Sequence, residues 1–284
     1  MDLLYRKLYA ANSTKIMVLG GTCSHVTEQT ALASYKYNMV QISYSAVSPR
    51  LSGEEFRWFF RVMAPETQLS DVRIKLLKEF NWTTITIVQA AEHLFSSTTE
   101  IMKERLKHNN ITLNDTIPFE KYPQGAIEQL KKNDARIIYF SSYEDQARMA
   151  CCTAYRLNFT GPKIVWIFPG FFDLKWYDHP KSNCTAEEIL KVIDGYLTVS
   201  NVNMAEEDSE DNIGTSQKDY LERFKAKAVR DSQKEYQELL KSGREIQVAG
   251  EGRAPLAYDA VWAIALSLNS TLTDYIAEGI YLLS

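Results

Sequence analysis

"KIMVLGGTCSHVTEQTALASY", residues 15–35, decides the fold. A short apolar run, "KIMVLG", ends on Gly20-Gly21; small polar residues follow, and a helical segment opens. An apolar run, a glycine turn and a helix together form the first half of a βαβ unit. The pattern repeats along the chain. Strand candidates are "KIMVLG" (15–20), "MVQISY" (39–44), "TITIVQ" (84–89), "RIIYFS" (136–141), "KIVWIF" (163–168) and "GYLTVS" (195–200). Several are almost continuously apolar, as parallel strands covered on both faces are. Between them lie helix candidates at 28–37, 69–80, 96–108, 126–132, 144–157 and 185–194. The alternation predicts an α/β fold with mostly parallel sheets.

Beyond residue 200 the texture changes. "NVNMAEEDSEDNIGTSQ" (201–217) is acidic and aperiodic and reads as a solvated loop. A charged helix (217–230) and an apolar one, "PLAYDAVWAIALSLN" (255–269), follow. The second opens on a proline and is apolar nearly all round, which predicts burial against a sheet.

The 284 residues suffice for two lobes. The net charge of −4 carries no basic excess, which excludes a nucleic-acid footprint. No apolar stretch reaches the 18 or so residues that cross a bilayer, and "MDLLYRKLYAANS" has no signal-peptide pattern. Seven Asn-X-Ser/Thr sequons, at Asn12, Asn81, Asn110, Asn114, Asn158, Asn183 and Asn269, point to an extracellular domain. The four cysteines lack metal-site spacing and are compatible with one or two disulfides.

Open α/β sheets bind ligands outside the carboxyl ends of their strands. "GGTCS" (20–24), "SAVSP" (45–49), "SSYED" (141–145) and "PGFFD" (169–173) all fall there. The glycine turn lacks the lysine of a phosphate loop. Ser24, at a helix start, is suited to a carboxylate; simple capping by Thr22, Ser24 and Thr27 is the plainer reading of the residues alone. No Gly-x-Ser-x-Gly motif or paired histidines are present, so no enzyme, metal or cofactor is expected.

Three longer stretches carry a resemblance: "NMVQISYSAVSPRLSGEEFRWFFRV" (38–62), "NDARIIYFSSYEDQARMACCTAYRLNFTGPKIVWIFPGFFDLKWY" (133–177) and "APLAYDAVWAIALSLN" (254–269). The chain resembles the extracellular Venus-flytrap domain of metabotropic GABA-B receptor subunits from about Leu4 to Asn269. The resemblance implies two hinged lobes, one of residues 1–64 and 205–284, the other of 65–204. In that family subunit 1 binds its agonist between the lobes. Subunit 2 binds none and couples to the inhibitory G protein through a transmembrane part. The two form an obligate heterodimer on the outer face of the plasma membrane. The competing reading is a soluble amino-acid-binding or transport module of the same fold.

Residue by residue, the resemblance makes Ser24 a carboxylate-holding serine and Tyr143 the aromatic of the second lobe. Val47 stands where a second carboxylate-holding serine is expected, with Ser48 beside it. Met63 replaces a histidine and Phe171 a tryptophan. The glutamate that receives the ammonium aligns near Arg253, with Glu251 two residues away. These departures, with "GGTC", "VQIS" and the Cys pair, favour a subunit-2-like chain over a subunit-1-like one and predict weak GABA binding. The resemblance further implies a Cys152–Cys184 disulfide with Cys151 free. It places Leu4, Tyr5, Leu8 and Tyr9, an apolar helix face, against a partner's first lobe; cover for the lobe's own core is an equal alternative. The family's domain also has strands ahead of "LLYRKLY" and after "TLTDYIAEGIYLLS", so the first lobe is expected to be incomplete.

Overall fold

The computed structural model describes residues 17–173, 175–180, 182–201, 219–220, 222–224, 226–227 and 253–277, with side chains through 271. Leu4, Tyr5, Leu8, Tyr9, Asn12 and Glu251 lie outside the described residues. The chain divides into two compact units, one of residues 1–46, 54–63 and 202–284, the other of 47–53 and 64–201.

In the first unit, β1 (Met17–Leu19), β2 (Val40–Ser43) and β3 (Phe59–Arg61) form a parallel sheet in that order. α1 (Ser24–Lys36) makes the crossover from β1 to β2. The apolar helix is α7 (Ala254–Ala277), which packs on β1 and β2. It buries Ala254, Leu256 and Ala260, but Val261, Trp262 and Leu266 are exposed. The described residues therefore cover one face of α7 and not its whole circumference, contrary to the reading from its apolar sequence.

The second unit holds α2 (Glu66–Glu79), β4 (Thr84–Ala90), α3 (His93–His108), β5 (Thr112–Phe119), α4 (Gln124–Lys132), β6 (Ile137–Ser141), α5 (Glu144–Arg156), β7 (Val165–Pro169), α6 (Ala186–Ile193) and β8 (Leu197–Val199). Its sheet runs β5-β4-β6-β7-β8, every pair parallel. Side chains alternate across it. Ile138, Phe140, Trp166 and Phe168 enter one core cluster; Ile85, Ile87, Tyr139 and Ile167 enter another with Ile74, Leu77 and Met102 of α2 and α3. Apolar residues on both sides of one strand explain its near-continuous apolar sequence. Two strands, β3 and β5, are absent from the candidates read from sequence; β3 is only three residues long. β5, "TLNDTIPF", is the sheet's edge, where a proline and polar residues are tolerated.

Five helices end alike. Asn38, Asn81, Asn110, Asp134 and Asn158 have φ of 54°, 54°, 55°, 50° and 52°. The following N–H groups, of Met39, Trp82, Ile111, Ala135 and Phe159, donate back to the carbonyls of Ser34, Leu77, Leu106, Leu130 and Ala154. This is a helix stop with a left-handed residue and an apolar anchor, and Asn and Asp are the non-glycine residues that adopt it most readily. A disulfide joins Cys152 of α5 to Cys184 ahead of α6, with Cα atoms 5.6 Å apart. Cys151 is free and buried; Cys23 is free and exposed.

Candidate functional site

The loop after β1 is held from several sides. The Gly20 N–H donates to Ile42 O at 2.9 Å. Gly20 O accepts from Gln41 Nε2 at 3.1 Å and Gly21 O from Ser43 Oγ at 2.7 Å. Gln41 and Ser43 are two apart on β2 and so share a face, and both are fully buried. Gly21 has φ +86°, and any Cβ there would overlap the side chain of Thr27. Thr27 Oγ1 in turn donates to Cys23 O at 2.9 Å, and Thr22 Oγ1 meets the Tyr44 hydroxyl at 2.7 Å. The loop delivers Ser24, buried, to the first turn of α1. Cys23 caps that turn without a side-chain bond, and no acidic residue stands in it. A helix start of this kind directs N–H groups and a positive dipole end at an anion.

Ser43 Oγ also accepts from the N–H groups of Ser45 and Ala46, at 3.2 and 3.0 Å. The chain continues into Val47 and Ser48, both buried, which group with the second unit. Val47 O accepts from Glu66 N at 3.0 Å, and Ser48 precedes the turn Pro49–Ser52. Met63 follows β3, and Arg253 stands just ahead of α7; both are half-buried and belong to the first unit.

In the second unit, Tyr143 caps α5. Its N–H donates to Gln146 Oε1 at 3.3 Å, and Gln146 Nε2 reaches Glu92 Oε1 at 3.2 Å. Phe171 follows β7. The Tyr143 ring stands 6.2 Å from that of Phe171 and 4.8 Å, edge-on, from that of Phe95. Phe95 opens α3, directly after β4. The chain steps one way from β4 to β5 and then back past β4 to β6, so Phe95 and Tyr143 meet at the reversal of strand order, where open sheets bind ligands. Phe95, Phe171, Thr98, Tyr139, Ser141 and Glu66 close around a gap here too small for a water molecule. Behind it, Arg73 pairs with Glu66 at 2.5 Å and lies 4.7 Å over the Tyr139 ring. Burial pushes the Tyr139 phenol up.

The sequence reading missed Gln41, Ser43, Phe95 and the Glu66–Arg73 pair. Gln41 and Ser43 had a signal: polar residues at alternate positions of an otherwise apolar strand, "VQIS". Glu66 and Arg73, seven apart on a helix, had one too, since that spacing returns to one face. Phe95 had none. The sequon residues Asn81, Asn110, Asn114, Asn158, Asn183 and Asn269 are all exposed. Among the described residues no group of His, Cys, Asp and Glu is placed to hold a metal, and no helix is long and apolar enough to cross a membrane.

Residues 5–280 match the family described as "Receptor family ligand binding region", and the chain belongs to it. Within that family it is similar to gamma-aminobutyric acid type B receptor subunit 1 of Mus musculus, 31% identical over 94% of this chain and 27% of that protein. The subunit 1 of Caenorhabditis elegans is 33% identical over 95% of this chain and 29% of the relative. Subunit 2 of Homo sapiens is 27% identical over 90% of this chain and 26% of the relative. The chain thus spans between a quarter and a third of these relatives' length. The identities to the two subunits lie too close to assign the chain to either.

Proposed function

We propose that this chain is the extracellular ligand-sensing region of a GABA-B-type receptor subunit and that it works by binding, not catalysis. The observation that carries the reading is the glycine loop that presents Ser24 at the start of α1. The Gly20 N–H is committed to Ile42 O and the carbonyls of Gly20 and Gly21 to Gln41 and Ser43, so the start of α1 with Ser24 is a fixed surface suited to the carboxylate of GABA or a related amino acid. Within the second unit, the Tyr143–Phe171 pair forms an aromatic surface of its own. Residues 65–204 act as one lobe and the flanking segments as the other.

The ammonium end is the weaker half. There Arg253 is a like charge; the carboxylate end has its own loss, since Met63 offers no donor where the family has a histidine. A carboxylate facing a ligand ammonium is worth a few kcal/mol, and at about 1.4 kcal/mol per tenfold its loss costs about two decades of affinity. The chain is therefore subunit-2-like: it binds GABA poorly alone and acts with a second receptor subunit, paired through its first lobe with Leu4, Tyr5, Leu8 and Tyr9. Coupling to the inhibitory G protein belongs to receptor parts outside this chain.

Calorimetry and size-exclusion chromatography test this together. The chain alone is expected to bind GABA no tighter than about 0.1 mM and to co-elute with a partner subunit's ectodomain. Micromolar GABA binding without a partner overturns the silent role; if Glu251→Ala abolishes that binding, Glu251 is the ammonium acceptor. Failure to co-elute overturns the pairing.

A further inference from the structure

A serine hydroxyl has one proton to donate and two lone pairs to accept with. Ser43 uses all three, and it divides them between two loops. It donates to Gly21 O at 2.7 Å, in the loop that delivers Ser24. It accepts from Ser45 N–H at 3.2 Å and Ala46 N–H at 3.0 Å, in the loop that leads to Val47 and Ser48. Gln41, its neighbour on the same face of β2, holds Gly20 O but reaches only back to Thr30 and Ser34 of α1. Ser43 Oγ bonds both strand-end loops at once, beside the Thr22 Oγ1–Tyr44 hydroxyl contact at 2.7 Å.

The position is fully buried. A buried hydroxyl in a strand is costly unless paired, and an aliphatic residue would serve the sheet as well. Only a hydroxyl ties both loops at this spot. Alanine would leave one carbonyl and two N–H groups of the loops without this partner.

We infer that Ser43 is the positioning residue of the anion grip: it sets the spacing between the Ser24 loop and the Ser45–Ala46 turn, and so the affinity for a ligand carboxylate. The inference rests on the proposed role of the Ser24 loop as that grip.

The test uses the full chain, labelled for amide NMR, with butyrate as a probe that has a carboxylate and no ammonium. Wild-type protein is expected to show saturable shifts at the amides of Ser24, His25 and Val26. In Ser43→Ala, butyrate affinity should fall at least tenfold. The Ser45 and Ala46 amides should exchange at least tenfold faster, together with those of Thr22 and Cys23. Ile42→Val is the control: it loosens the same strand from its other face and should leave butyrate affinity and the loop amides within twofold. Ser43→Cys, which fills the same space with a weak donor, gives the same comparison should the alanine variant not fold. Equal butyrate affinity in the Ser43 and Ile42 variants overturns the inference and leaves the ligand reading standing. An absence of shifts at Ser24–Val26 in the wild type rejects the ligand reading and, with it, the carboxylate role of Ser43.

Discussion

A methyl group on Gly21 would overlap the side chain of Thr27, one turn into α1. The glycine is thus required twice, by its left-handed φ of +86° and by the closeness of the helix it introduces. Gly21→Ala should cost about 2–4 kcal/mol, the strained φ and the overlap together. Denaturant unfolding reads this. A companion Thr27→Ala change should return part of the loss, the steric part, and a cycle that shows no coupling would contradict the contact.

The Cys152–Cys184 bridge spans a sequence separation of 32. In the chain-entropy picture it contributes about 3–4 kcal/mol. The Cys152→Ala/Cys184→Ala double variant should therefore melt several degrees lower. Peptide mapping without reductant should recover Cys152 joined to Cys184 and Cys151 as an unmodified thiol. A Cys151–Cys184 peptide would refute the pairing.

Glu66 and Arg73 are both buried, and among the described residues Arg73 Nε and Nη1 meet no hydrogen-bond acceptor. Removing one partner strands the other's charge. Arg73→Met alone should cost about 3–5 kcal/mol, and Glu66→Leu/Arg73→Met together less than that. Additive losses in the double variant would show that the two charges do not depend on each other.

Burial raises the Cys151 thiol above its ordinary value of 9.0 and the Tyr139 phenol above 10.0. The folded chain keeps both protons at a pH where the unfolded chain gives them up. Stability is then full below pH 9 and falls as pH rises, by up to about 1.4 kcal/mol per pH unit for each group once its unfolded form ionises. Urea unfolding between pH 8 and 10.5 should show the decline, and Cys151→Ala should delay its onset by about one unit. A flat profile in wild type would contradict the burial of both groups.

Much of the architecture was legible because parallel strands bury both faces: the runs around Ile85, Ile138 and Trp166 stand out against the helices between them. β5 was not, because an edge strand with Asn114, Asp115 and Pro118 has no such run. The glycine turn ahead of Ser24 was visible, but its anchors on β2 were not recognised, since Gln41 and Ser43 act across sequence separations of 21 and 22. The Phe95–Tyr143 contact depends on β4 lying beside β6, and periodicity carries no strand order. The sequon excess has a second physical cause. At Asn81, Asn110 and Asn158 the asparagine stops a helix and the next residue anchors the stop. Thr83 and Thr112 then suit the strand that begins there. The Asn-X-Thr pattern at these sites is what a helix-to-strand junction asks for.

Those junctions also divide the second unit geographically. Helix ends in a parallel α/β sheet sit beside the amino ends of the strands they lead to, as Asn81 does ahead of β4 and Asn110 ahead of β5. Tyr143 and Phe171 follow the carboxyl ends of β6 and β7. Sugars carried by Asn81 and Asn110 would crowd one rim of the sheet and leave the opposite rim, with its aromatic rings, bare.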